Sequence, residues 1–211
     1  MSQRVCRVCF KDFRIRSLVS LLDPDSPLCD QCLKELKRSL HRRDMGDFNV
    51  WCLGYYEGRM KELLLTYKEL GDYELYRVFL YPFGNLITLF FTGYTLVCAP
   101  SSQEALEKRG FNHMEAIAST LHLNRISPFI KSSGLDQKDL TREERLQVLE
   151  RIKIGTADEI KGRKILLFDD VISTGATIRA CRKLLLERGA RRVSALALMD
   201  NNMNKKITKQ P

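Results

Sequence analysis

The sequence contains no internal repeat, no low-complexity linker and no apolar leader with a cleavage site in its opening MSQRVCRVCF. The first two absences argue against a solenoid or a string of tethered modules. The third removes the secretory reading and, with it, the oxidising compartments where disulfides persist, so a cytoplasmic chain is expected. Acid is also scarce: 26 Asp and Glu stand against 35 Lys and Arg, for a formal charge of +9. That surplus favours polyanionic partners such as nucleic acid or phosphorylated metabolites. Charge of either sign is missing from Phe79 to Pro100. The stretch is long enough for a membrane span. However, Pro82, Gly84, Asn85, Thr88, Thr92, Gly93 and Thr95 interrupt it, and it reads instead as a short helix (83–91), a turn and a buried strand (94–99). With 211 residues and 44% hydrophobic content, the chain can bury one substantial core and carry a small appendage.

Cysteine is what the chain does have. Four of the seven fall in two pairs, Cys6-Arg-Val-Cys9 and Cys29-Asp-Gln-Cys32, with nineteen residues between the pairs. Each CxxC forms a tight knuckle whose thiolates can share one ion. Two knuckles fill a tetrahedral shell, which makes a structural zinc site the expectation. Disulfides are disfavoured in a cytoplasmic chain, and an iron–sulfur cluster would accept the same four thiolates. Cys52, Cys98 and Cys181 stand alone and read as small buried hydrophobes. A basic amphipathic helix is expected over 33–43, leading out of this module. The domains expected are a metal module at 1–47, a larger body at 48–200 and a basic tail at 201–211.

The body alternates helices and strands. Helices are expected over 60–70, stopped by Gly71, and over 72–81, 103–109, 113–121 and 177–188. Strands are expected at 94–99, 126–130, 164–168 and 193–199. Such alternation implies right-handed crossovers and a mainly parallel α/β sheet.

The chemistry concentrates in ILLFDDVISTGAT, residues 165–177. A fully apolar strand runs into two adjacent carboxylates, and ligands of open parallel sheets bind beyond the carboxyl ends of the strands. The loop Ser173-Thr174-Gly175-Ala176-Thr177 then opens a helix, whose first N–H groups and dipole suit a phosphomonoester. Asp169 and Asp170 suit a vicinal diol, or a magnesium ion held beside it. Phosphate and diol together describe a ribose 5-phosphate. A helix cap beside a solvated strand end would need neither the second acid nor the full run of small loop residues.

This stretch resembles the thirteen-residue PRPP-binding signature of type I phosphoribosyltransferases. Other features narrow the likeness: the double CxxC, Tyr55-x-x-Gly58, Lys68-x-x-Gly71-Asp72, a strand ending at Pro100, Arg109-Gly110-Phe111-Asn112, and Gln137-x-x-Leu140-x-x-x-x-Arg145. In that order, across roughly residues 4–200, they look like the ComF family, whose better-known members act in natural competence for DNA uptake. The resemblance implies that Asp169 and Asp170 bind the ribose hydroxyls of PRPP, directly or through magnesium, and are the catalytic pair. Residues 173–177 would cradle the 5-phosphate, and Pro100-Ser101-Ser102 would take the place of the pyrophosphate loop. Arg109, Lys68 and Arg145 would supply cations, with 132–145 as the closing loop. The chain departs from the pattern at Lys131, where an arginine is usual nearby, at Val148, where an asparagine is usual, and at Cys98-Ala99-Pro100-Ser101. The expected partners are PRPP, single-stranded DNA and competence-machinery proteins. The six cations between Ile178 and Arg192, with stacking aromatics such as Trp51, Tyr55 and Tyr56, would contact the DNA. A metabolic phosphoribosyltransferase acting on a base or nucleotide-like acceptor is the alternative function.

Overall fold

A computed structural model of the chain describes residues 4–14, 26–101, 103–131, 152–154 and 159–202. Its strands are β1 (Arg4–Val5), β2 (Asp12–Phe13), β3 (His41–Asp44), β4 (Asn49–Cys52), β5 (Tyr94–Cys98), β6 (Asn124–Arg125), β7 (Phe129–Lys131), β8 (Ile152–Ile154), β9 (Lys164–Ile172) and β10 (Arg192–Asp200). Its α-helices are α1 (Asp30–Glu35), α2 (Gly58–Glu69), α3 (Tyr76–Phe79), α4 (Gly84–Phe90), α5 (Gln103–Arg109), α6 (His113–Ala118) and α7 (Ala176–Glu187). The main sheet has the order β3-β4-β10-β9-β5-β6. Its neighbours are parallel except at the edge, where β3 runs antiparallel to β4. The expected α/β class is therefore present.

Both faces of this sheet are covered, which is why β9 and β10 are apolar without alternation. Ile165 and Leu167 of β9 pack with Ala195 and Ala197 of β10 against Ile178, Cys181 and Leu185 of α7. Leu166 and Phe168 face the other way, towards α2, α3 and α6. Cys6, Val8, Leu28, Cys32 and Leu36 belong to that second core, so the cysteine segment shares apolar packing with the body. Arg38 ties the two together by donating to the carbonyls of Phe79 (2.5 Å) and Val78 (2.6 Å) at the end of α3. The uncharged stretch does divide into helix α4 and strand β5. Among the described residues no helix is long and apolar enough to cross a membrane.

Four expected elements differ in the structure. The helix expected over 72–81 is a 3-10 turn (Tyr73–Leu75) followed by the four-residue α3. The helix expected over 33–43 ends at Glu35, and His41–Asp44 form β3 instead. Lys37 takes a positive φ of 35°, which turns the chain out of the helix and lets 41–44 pair with 49–52. The strand expected at 126–130 divides into β6 just before it and β7, which overlaps its last two residues, in different sheets. The strand expected to stop at Phe168 continues to Ile172. Beyond Phe168 only the β10 side stays paired, with Asp169 opposite Ala197 and Ile172 opposite Asp200. On the other side β5 has already ended at Cys98. Asp169 and Asp170 thus lie on a strand that is open along one edge.

Candidate functional site

The open edge of β9 is the floor of the candidate site. The Ala99 N–H donates to the Phe168 carbonyl at 2.8 Å, so Pro100 and Ser101 leave the sheet beside the two aspartates. Asp169 turns back on the chain: its Oδ1 accepts the Asp170 N–H at 2.9 Å. The Asp170 Oδ1 likewise accepts the Val171 N–H at 2.6 Å. The Asp170 Oδ2 is gripped by Lys68 Nζ from the last turn of α2, and it also accepts from His113 Nε2 at 2.7 Å.

His113 is the residue the sequence reading missed, and its proton can be placed. Arg109 NH1 lies 2.8 Å from His113 Nδ1. A guanidinium only donates, so Nδ1 carries the lone pair and the proton sits on Nε2, pointing at Asp170. The ring is neutral. Burial holds its pKa below the ordinary value despite the Asp170 carboxylate, and the Lys68 and Arg109 charges add to that lowering. Burial alone would push the Asp170 carboxyl up. The His113 hydrogen bond and the Lys68 charge outweigh it and hold the group below its ordinary range.

Each letter of Arg109-Gly110-Phe111-Asn112 has a local task in holding this chain of contacts. Gly110 takes φ +74°, and its N–H closes α5 on the Leu106 carbonyl at 2.9 Å. Phe111 packs on Tyr67 and Tyr73 at 5.3 Å between ring centroids in each case. The Asn112 side chain caps α6 by accepting from Met114 N (3.2 Å) and Glu115 N (3.3 Å). Buried Tyr67 donates its hydroxyl to the His113 carbonyl at 3.1 Å. The start of α6 is thereby fixed against α2, and His113 with it. Among the expected cations, Arg109 and Lys68 thus act on one carboxylate, Arg109 through the histidine. Ser102 and the segment carrying Gln137, Arg145 and Val148 lie outside the described residues, as does the Lys131 side chain.

Asp169 is the other half of the pair. Burial and the adjacent Asp170 charge raise its carboxyl to about 7. A group with a raised folded-state pKa contributes stability that is present below its unfolded value and is lost as pH rises through the folded one. Here that window runs from about pH 4 to about pH 7. Asp169→Asn should therefore gain stability over the parent at pH 8 but not at pH 4. The gain should be on the order of 1–3 kcal/mol, below the full shift because the site keeps solvent contact. Urea unfolding at the two pH values measures it.

The loop after β9 turns into α7 through Gly175, which has φ +76° and caps the helix without a side-chain acceptor. The Thr174 hydroxyl accepts the Ala176 N–H at 3.3 Å. Ser173 and Thr174 are exposed, whereas Ala176 and Thr177 are half-buried. The first N–H groups of α7 have no intrahelical acceptor and point into this loop. A Cβ on Gly175 would come within 2.1 Å of Met45 Cε. Gly175→Ala should lose about 1–3 kcal/mol in denaturant unfolding, because both the left-handed conformation and the methionine must give.

A second unforeseen residue holds the loop from below. Buried Arg43 of β3 donates from NH1 to the Ile172 carbonyl (2.8 Å) and to Asp200 Oδ1 (2.7 Å), and from NH2 to the Ser173 carbonyl. Arg43→Met would take the guanidinium from the buried Asp200 carboxylate and the donor from the Ser173 carbonyl, while the Ile172 carbonyl keeps the Asn201 N–H at 2.8 Å. We expect a loss of about 3–5 kcal/mol in chemical denaturation. No sequence signal pairs residues so far apart.

The four patterned cysteines do converge. Their sulfurs lie within 4.8 Å of one another, and all four are free thiols. Cys9 and Cys29 sulfurs are 3.8 Å apart, which matches the edge of a tetrahedron with metal–sulfur bonds of about 2.3 Å. Burial pushes the Cys6 thiol up, but the backbone N–H groups of Cys29, Cys9 and Val8 outweigh it and bring it to about 7. The set could hold one metal ion. Of the six cations from 178 to 192, Arg179 and Arg182 are held by Asp47 at 3.2 and 3.1 Å. Lys183 reaches Glu187 at 3.8 Å.

Residues 105–209 match the phosphoribosyl transferase domain family. Together with the parallel sheet, that match gives the chain a type I phosphoribosyltransferase-like domain. Almost the whole chain is in turn similar to competence protein ComFC of Bacillus subtilis, at 29% identity over 92% of this chain and 94% of that protein. ComFC of Streptococcus pneumoniae is 28% identical over 87% of this chain and 92% of its own length. The chain is a homologue of these ComFC proteins. A hypoxanthine phosphoribosyltransferase from Staphylococcus aureus superposes with a TM-score of 0.41 at 20% identity, over 62% of this chain and 65% of that one.

Proposed function

We propose that this chain is a ComFC-like competence protein that handles incoming single-stranded DNA in the cytoplasm and carries a PRPP site. The observation that supports the PRPP site most is the position of Asp169 and Asp170 on an open strand edge. The helix-entry loop 173–177 follows them, and Lys68, His113 and Arg109 line the same edge. In this reading the diol of PRPP, or a magnesium ion beside it, meets the aspartates, and the 5-phosphate takes the N–H groups at the start of α7. Pro100 and Ser101 would flank the pyrophosphate, and Lys68 would exchange Asp170 for it. Magnesium would supply charge neutralisation at the leaving group. The cysteine set would hold a structural zinc ion.

Support for a DNA surface comes from the charge of +9 and from guanidinium groups laid on aromatic rings. Arg42 lies 4.1 Å from the Trp51 ring, and Arg182 lies 4.5 Å from Phe48. Such pairs offer flat faces for bases beside cations for the backbone. The alternative, a metabolic phosphoribosyltransferase, is favoured by one observation. A cavity of about 310 Å³ lies between Leu36, Lys37 and Arg38 of the cysteine segment and the stretch from Leu53 to Met60. Tyr55 lines the cavity, and its neighbour Tyr56, which does not, has its phenol raised by burial and by the Asp170 charge. An acceptor base would fit such a space.

Incubation with PRPP, magnesium and either bases or single-stranded DNA separates the two readings. Acceptor-dependent pyrophosphate release that vanishes in the Asp169→Asn, Asp170→Asn double variant supports the transferase. Salt-sensitive DNA retardation that persists in that variant, without pyrophosphate release, supports the handling factor. A chain that binds neither PRPP nor DNA contradicts both.

A further inference from the structure

Beyond the four patterned cysteines, His41, Cys52 and Asp200 also converge, with His41 nitrogen, Cys52 sulfur and Asp200 oxygen within 4.8 Å of one another. They come from three neighbouring strands at one end of the sheet: β3, β4 and β10. His41 Nδ1 lies 2.8 Å from the Ser39 carbonyl oxygen. A carbonyl only accepts, so Nδ1 carries a proton. His41 Nε2 then faces Asp200 Oδ2 at 3.3 Å. In a neutral ring this sets one lone pair against another. Something positive must lie between them, either a second ring proton or a metal ion.

Three further observations favour the metal. First, a histidine that donates its remote N–H to a backbone carbonyl is oriented as metal-ligating histidines usually are. The ring plane is also fixed, by stacking on Tyr55 at 4.4 Å. Second, Asp200 Oδ1 is already engaged by Arg43 NH1 at 2.7 Å and by Asn202 N at 2.9 Å, which leaves Oδ2 turned to the histidine. A tetrahedral ion with bonds of about 2.0–2.1 Å sets its nitrogen and oxygen ligands about 3.3 Å apart, the separation seen here. Third, the Cys52 thiol offers a soft third donor that a simple imidazolium–carboxylate pair does not need. It would have to close in by at most about 1.3 Å to complete a zinc-like shell. With the thiolate present, the group carries the same net charge as the protonated-histidine alternative.

We infer that His41 Nε2, Cys52 Sγ and Asp200 Oδ2 form a second metal site, for zinc or a similar borderline divalent ion, with the fourth position open to water. His41 keeps about a fifth of its side-chain surface exposed, which gives the ion a way in. Burial and the Asp200 charge favour the protonated Cys52 thiol, so binding displaces that proton. Through Asp200 and Arg43 the ion would brace the carbonyls of Ile172 and Ser173, and hence the loop that opens α7.

The test is the zinc content of the full-length chain after zinc loading and removal of the excess, by inductively coupled plasma mass spectrometry. The expected result is that His41→Gln and Cys52→Val each lose one equivalent relative to the parent, while the ion of the four-cysteine set remains. In a cobalt-loaded chain, Cys52→Val should lose one thiolate-to-metal charge-transfer component. Retained far-ultraviolet dichroism shows that the variants are folded. A parent chain that takes up no ion beyond the four-cysteine set overturns the inference, whatever the variants do. So does a folded His41→Gln chain with the parental metal content, which would leave a protonated histidine paired with Asp200. Neither outcome decides whether PRPP binds, since the residues proposed to contact PRPP are different ones.

Discussion

With the proposed ion on Cys6, Cys9, Cys29 and Cys32, a strong chelator should unfold far more than the cysteine segment. Metal ligation in small four-ligand modules is worth about 10–16 kcal/mol, comparable to the whole stability of an ordinary domain. Here the ligand sulfurs are also part of the body's core. Cys6 and Cys32 are fully or nearly fully buried beside Val8, Leu28 and Leu36, in the same cluster as Leu64, Phe79 and Phe168. Arg38 further binds the segment to the end of α3. Losing the ion therefore removes a cover from one face of the sheet. We expect chelation, or Cys9→Ser with Cys29→Ser, to lower the melting temperature by at least about 10 °C, since about 1 kcal/mol moves the midpoint of a chain this size by 2–4 °C. The loss should carry Trp51 fluorescence with it, and zinc should restore it. Differential scanning fluorimetry with and without chelator makes the comparison. An unchanged midpoint would mean that the cluster holds no ion or that the body ignores it.

The second large effect concerns the aspartate pair. Replacing Asp169 and Asp170 by asparagine removes both carboxylates from the open edge of β9 while keeping shape and volume. Hydrogen bonds from charged acceptors to a diol, or inner-sphere contacts to magnesium, are each worth about 1.5–3 kcal/mol or more. Losing both should weaken PRPP·Mg binding by at least about a hundredfold. The fold should survive. In Asp170→Asn the amide oxygen can still accept from the neutral His113 ring and the partly exposed Lys68 can turn to solvent, and Asp169→Asn removes a carboxylate that is costly to ionise where it lies. The same substitutions that abolish binding should thus leave the melting temperature within a few degrees of the parent. A variant that loses binding only because it unfolds would not support the assignment.

Much of this arrangement is visible in the sequence, for identifiable reasons. The two CxxC pairs converge because metal knuckles are encoded locally. The apolar run before Asp169 and the glycine before α7 are local as well. The boundary of β9 was misplaced because charge after an apolar run looks like a strand end. In fact the ladder to β10 continues on one side only, and that asymmetry is a property of the partner strands. The helix expected over 33–43 failed for a similar reason. Its basic residues suit a helix, but pairing with Asn49–Cys52 outweighs the propensity. His113 could have been found, since it stands four residues after Arg109, beyond a glycine turn and next to a capping asparagine. Its role depends on Asp170, which lies 57 positions away. Arg43 and Asp200, 157 positions apart, carry no local signal at all.

The central claim is that the open edge of β9, with Asp169 and Asp170, and the loop at the start of α7 together receive a phosphorylated ribose. Isothermal titration of the full chain with PRPP in magnesium tests it most directly. The account predicts one site per chain, competition by ribose 5-phosphate, and loss of the binding heat in the folded Asp169→Asn, Asp170→Asn variant. Absence of binding by the folded parent chain, or equal binding by the folded double variant, would contradict it.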